Sequence, residues 1–104
     1  MKVVDIRNLL KDVEGFDWDR GNKDKNWKKH KVIAKESEEV FAKKPRFIAE
    51  DKKHSTVEKR YMLWGITKKK RKLIVVFTIR NEKIRIISAR DMNKKERRFY
   101  EEKT

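Results

Sequence analysis

The chain reads as one α+β domain with two N-terminal helices, a mainly antiparallel sheet of about four strands and a C-terminal helix. Three observations carry that reading. Residues 57–67, 72–80 and 83–89 show strand periodicity, while Ile33, Ser37, Val40 and Phe41 recur at helical spacing. Asn93 with Glu96 three residues on has the form of a capping box, placed just after the last strand. The 104 residues suit a single domain, and no second one is sought.

In order along the chain, Val3, Val4, Ile6, Leu9, Leu10 and Val13 are spaced for a short helix, or for a strand followed by a helical turn, ended by Gly15. Phe16-Asp17-Trp18 reads as a short strand. Asp19 is placed to cap a helix over residues 21–31, which carries Lys23, Lys25, Lys28 and Lys29 with Trp27 as its large apolar anchor. The next helix has Glu36, Glu38 and Glu39 opposite its apolar side and closes before Pro45. Residues 46–49 suit a strand and 50–55 a loop.

The pair Asn81-Glu82 suits a two-residue hairpin turn, because asparagine tolerates the positive φ that such turns need. That turn sets a register by arithmetic: Arg80 opposite Lys83, Thr78 opposite Arg85, Val76 opposite Ile87 and Leu73 opposite Arg90. One face of the hairpin is then Val75, Phe77, Ile79, Ile84 and Ile86, and it should carry the helices. The other holds Ile74, Val76, Thr78, Arg80, Arg85 and Ile87, and is expected to stay open as a basic concave surface. A loop of even length after the strand 57–67 puts Lys59, Tyr61 and Leu63 on that open face; three residues would turn them over.

A formal net charge of +14 on so small a surface attracts polyanions and releases their counterions on binding. Nucleic acid, an acidic protein and an anionic membrane all satisfy that, the membrane least, since no basic helix has a long apolar face of its own. No apolar run approaches the roughly 20 residues of a membrane span and the N-terminus lacks a signal-peptide core, so a cytoplasmic protein is expected. With no cysteine and two histidines, His30 and His54, neither thiolate ligands nor a histidine cage is available, and no metal or other cofactor is expected.

FDWD at 16–19, NWKKH at 26–30, DKKHSTVEKR at 51–60 and IRIISAR at 84–90 followed by KKERRFYE resemble, in order and spacing, the BrnT toxins of type II toxin–antitoxin systems. The resemblance covers residues 16–101 and leaves 1–15 as an extension. It implies a RelE-like fold and a ribonuclease that inhibits translation and growth. It also implies neutralisation by a BrnA-like ribbon-helix-helix antitoxin, whose dimerisation would build a larger complex and through which alone operator DNA would be bound. Two positions depart from the family pattern: Asn22 stands where lysine is usual, with Lys23 one place later, and Lys31 stands where glycine follows the histidine.

Cleavage of RNA without a metal needs a base for the attacking 2′-hydroxyl, cations for the charged transition state and an acid for the leaving 5′-oxygen. Arginine suits the cationic task because it is always charged and grips phosphate with two donors. The candidates for catalysis are His30, Glu58, Arg60, Arg80 and Arg90, and for RNA contact Lys29, Lys59, Tyr61 and Arg85. Each has a plainer reading: His30 as a helix-end residue, Glu58 as an ion-pair partner of Arg60, any arginine as a solvated charge. Arg80 and Arg90 stand at opposite ends of the hairpin and cannot grip one phosphate. A basic RNA-binding module without catalysis and a module for an acidic protein partner are the rival functions.

Overall fold

The Asn81-Glu82 turn has φ of 53° and 63° at its two residues, the primed geometry that matches strand twist. It joins β5 (Lys72–Arg80) to β6 (Lys83–Asp91) in the computed structural model, which describes residues 3–104. The N-terminal extension is therefore described from residue 3, its residues 1–2 lying outside. Around this hairpin a six-stranded sheet runs β1-β3-β4-β5-β6-β2, with β1 at Val3–Val4, β2 at Gly15–Phe16, β3 at Phe47–Glu50 and β4 at Tyr61–Ile66. The helices are α1 (Ile6–Leu10), α2 (Arg20–His30), α3 (Ala34–Ala42) and α4 (Lys94–Lys103).

The expected four strands are thus six, and the sheet is mixed, because β2 runs parallel to β6. The outer strands have two residues each, β1 against β3 and β2 against β6; β2 overlaps the short strand expected at 16–18, and β1 with α1 takes the expected form of a strand followed by a helical turn. The extension supplies β1, α1 and the first residue of β2.

The arithmetic register holds from Arg80↔Lys83 through Thr78↔Arg85 to Phe77↔Ile86 and then breaks. Phe77 pairs with Ile86 but Val76 with Ser88, so Ile87 is an extra residue in a β-bulge. Leu73 therefore faces Asp91, not Arg90, and Arg90 faces Ile74. A bulge reverses the alternation beyond it, which turns Ala89 inward beside Ile84 and Ile86 and sends Arg90 to the other face. The small Ala89 is where α2 rests: its amide donates to the buried Asn26 side chain at 3.2 Å.

The even loop is also corrected. Thr67 and Arg71 close the β4–β5 connection through Thr67 N–H to Arg71 O at 2.9 Å, leaving Lys68, Lys69 and Lys70 at the tip with Lys70 at φ 69°. Three residues make the connection odd, so Leu63 joins Val75 and Phe77 in the core under α2 and α3, and Tyr61 packs against the same cluster. Trp64 goes to the opposite face. The strand also starts at Tyr61 rather than 57, since Ser55 Oγ donates to Asp51 O at 2.6 Å and accepts from Arg60 N at 2.9 Å, closing residues 51–60 into a loop.

The sheet is covered on both faces. Val32, Val40, Phe41, Ile48, Leu63, Leu73, Val75, Phe77, Ile84 and Ile86 fill the α2/α3 side. Gly65 lets α3 come this close, for a Cβ there would lie 2.9 Å from Val40 Cβ. On the other side α4 lays Tyr100 and Phe99 over Phe47, Trp64 and Ile74. The face expected to be open is therefore half occupied, and only its end next to the Asn81-Glu82 turn is left for a polyanion. Asn93 caps α4 through Glu96 N at 2.8 Å while Glu96 reaches back to Asn93 N at 2.9 Å, as its spacing predicts.

Candidate functional site

The candidate residues fall into two groups at opposite ends of β5–β6. At the turn end, Arg80 closes β5 and Arg85 stands three residues beyond the turn, so the register brings both guanidinium groups to one edge of the sheet. The loop closed by Ser55 delivers Glu58, Lys59 and Arg60 to the same place, pinned by Thr78 Oγ1 donating to Lys59 O at 2.8 Å. Glu58 accepts from Arg80 Nη2 at 2.7 Å. Its partner is thus Arg80 and not the neighbouring Arg60.

Glu58 is held below the usual carboxylate range, chiefly by the hydrogen bond from Arg80; burial opposes this, and the charges of Arg80, Arg60 and Arg85 add to it. Arg80 is correspondingly raised by Glu58. Arg85 Nη2 lies 2.9 Å from Asp19 Oδ2, and its Nη1 lies 3.9 Å from Asp17. Asp19 holds α2 at the same time, its Oδ1 accepting from Asn22 N at 2.7 Å. Asn22, at a position where the family pattern has lysine, ties the helix to the sheet by donating Nδ2–H to Ile86 O at 2.9 Å. Asp17 and Asp19 belong to the FDWD motif; helix-cap spacing alone accounts for Asp19 in the sequence and shows nothing of its grip on Arg85.

The other end, where β6 meets α4, has different chemistry. Arg90 is bidentate to Glu96 at 2.7 and 2.8 Å and also donates to Asp91 O at 3.2 Å. Arg71, which no spacing singled out, is the hub: it donates to Asp91 at 2.7 and 3.0 Å, to Glu36 at 3.1 and 3.2 Å, to Lys31 O at 2.8 Å and to His30 O at 3.0 Å. The only advance sign of it is an arginine among lysines, where a planar fork is needed rather than a point charge. Asp91 pulls the Arg71 pKa up, and Arg71 in turn holds Asp91 low.

His30 lies at this second end. Burial lowers its pKa first, followed by the charges of Lys29, Arg90 and Lys25, with Asp91 opposing them. Lys31 closes α2 at φ 55°, the left-handed geometry that glycine adopts without cost, which accounts physically for the glycine in the family pattern. Seven strand residues at roughly 3.4 Å each separate Arg90 from Lys83, the partner of Arg80. Glu58, Arg60, Arg80 and Arg85 are therefore brought together, with Lys59 beside them, while Tyr61 packs on the covered face against Phe77 and His30, Lys29 and Arg90 are placed elsewhere.

The turn end combines the carboxylates of Glu58, Asp17 and Asp19 with the guanidinium groups of Arg60, Arg80 and Arg85, a set able to take a proton and to stabilise charge on a phosphate. Among the described residues no helix is long and apolar enough to cross a membrane. No curated protein matches the chain in sequence. Residues 18–96 match the family profile described as the ribonuclease toxin, BrnT, of type II toxin–antitoxin systems, and the chain belongs to that family.

Proposed function

We propose that the chain is a metal-independent endoribonuclease of the mRNA-interferase kind, with its reaction centre at the turn end of β5–β6. The observation that carries this is Glu58 under the combined influence of Arg60, Arg80 and Arg85. Glu58 takes the proton of an RNA 2′-hydroxyl, whose oxygen attacks the adjacent phosphorus while the bond to the 5′-oxygen breaks. Arg80 and Arg60 hold the charge that accumulates on the non-bridging oxygens, and the leaving oxygen takes its proton from solvent. The products end in a 2′,3′-cyclic phosphate and a free 5′-hydroxyl.

In the free protein the Glu58–Arg80 pair fills the place of the substrate phosphate. Both partners are solvent-accessible, so exchanging that carboxylate for a phosphate costs little, as exposed ion pairs are weak. Lys59 and Arg85 contact the RNA on either side. Arg90, His30 and Lys29 serve the fold and the general attraction of RNA. The partner is a BrnA-like ribbon-helix-helix antitoxin, and the setting is the cytoplasm, where cleavage stops translation.

Purified protein should cut RNA in the presence of EDTA and leave cyclic phosphate ends. The Arg80→Ala/Arg85→Ala double variant should cut at least a hundredfold more slowly, on the scale set by losing transition-state donors. Unchanged cleavage by that variant would sink the assigned centre.

A further inference from the structure

The cleft formed by the end of α2, the start of α3 and the β4–β5 loop takes no part in that centre. It contains two exposed large apolar side chains, Trp27 at 50% and Ile33 at 46% accessible. With Lys35, Thr67, Lys68 and Lys69 they line a space of about 440 Å³, enough to seat a large side chain. Glu36 and Glu39 also line it, but their carboxylates are engaged from within. Arg71 and Ile33 N–H hold Glu36, and Lys68 N–H donates to Glu39 Oε1 at 3.1 Å.

The surrounding lysines are not so engaged. Among the described residues none of Lys31, Lys35, Lys68 and Lys69 is in an ion pair. Lys31 Nζ sits 5.1 Å from the centre of the Trp27 ring. The surface is therefore an aromatic and aliphatic centre inside a ring of unpaired ammonium groups.

We infer that this cleft docks the antitoxin through an acidic segment, which seats one large apolar side chain between Trp27 and Ile33 and sets carboxylates on Lys31, Lys35, Lys68 and Lys69. The inference rests on the reading of the chain as the toxin of a pair, and adds to it the surface and the chemistry of contact. Charge complementarity selects the occupant, since a chain of net charge +14 with unpaired lysines here is matched by carboxylates. A tryptophan ringed by polar groups is the usual form of an energetic anchor between proteins. RNA fits less well, because the Lys31 ammonium covers one stacking face of Trp27.

The test titrates purified cognate antitoxin onto the purified full chain by calorimetry at low and high salt. Wild type is compared with Trp27→Ser and with Lys35→Glu/Lys69→Glu, after melting curves show that each variant folds. Trp27→Ser should weaken binding at least tenfold at both salt concentrations and leave RNA cleavage by the free chain at the wild-type rate. The lysine variant should lose at least tenfold at low salt and show a flatter salt dependence. Equal antitoxin affinity for all three proteins overturns the docking surface. So does a 2′-O-methyl single-stranded RNA that loses tenfold in affinity on Trp27→Ser while the antitoxin does not, for the cleft is then a base-stacking platform. A wild-type chain that cuts no RNA fails the reaction centre instead, and the antitoxin titration still decides the cleft.

Discussion

The two ends of the β5–β6 hairpin carry the same residue types and put them to opposite uses. At the turn end, Arg80 and Arg85 bond carboxylates that are themselves partly exposed, and Arg80 has Glu58 as its partner. At the corner end, Arg71 reaches two carboxylates and two backbone carbonyls, and Arg90 is bidentate to a half-buried Glu96. A guanidinium group with one exchangeable partner is available to a ligand. One whose donors are divided among several acceptors is part of the fold. Partner number therefore separates Arg80 from Arg71 better than charge does.

The largest contrast is in activity. Arg80→Ala should lower kcat/KM for RNA by about 10²-fold or more with little change in Tm, if one transition-state donor has its usual weight. Arg71→Ala should do the reverse. Leaving Asp91, Glu36 and two carbonyls without their donor should cost about 2–3 kcal/mol in denaturant unfolding, with cleavage by the folded fraction retained. Arg71→Lys should recover only part of that loss because it cannot form the fork. Equal loss of stability in the Arg80 and Arg71 variants would erase the distinction between the two ends.

The pH dependence sharpens the same comparison. If Glu58 is the base, kcat/KM falls with acid only below the ordinary glutamate value of 4.5, since Arg80 holds its carboxyl lower still, and Glu58→Gln removes that limb. An acid limb near the histidine range that vanishes in His30→Gln would move the centre to the other end. Stability answers to the corner: Asp91 and Glu96 titrate below their ordinary 3.8 and 4.5, held there by Arg71 and Arg90. A lowered carboxylate contributes fully above its unfolded pKa and loses that contribution as pH falls through the folded one. Acid unfolding followed by circular dichroism should therefore begin below about pH 4.5 and shift upward in Glu96→Gln.

The smallest effect concerns α2. Lys31→Gly relieves a left-handed residue and should raise stability by under about 1 kcal/mol, partly offset by losing the ammonium over Trp27. A loss of stability would mean that the Lys31–Trp27 contact outweighs the backbone strain.

Local features of the fold were legible in residue spacing. Asp19 caps α2, Asn93 and Glu96 box the start of α4, and Asn81-Glu82 turns the hairpin with the expected pairs out to Phe77↔Ile86. Each needs only neighbours within a few residues. The clustering of Arg80 with Arg85 was legible for the same reason, through the register the turn imposes. Pairing Glu58 with Arg80 was not, because it depends on the loop that Ser55 closes and on where that loop docks.

By itself, then, the sequence determined the chemistry available: a cysteine-free, strongly basic α+β chain whose ordered motifs match the toxin family. Only the tertiary structure decided which charges remain exchangeable. The bulge at Ile87 chose the face of Arg90, the three-residue tip after Thr67 chose the face of Tyr61, and α4 closed half of the surface that alternation alone leaves open. The reason is physical: one inserted residue reverses every side chain beyond it, and which insertion is tolerated depends on packing from elements far away in the chain.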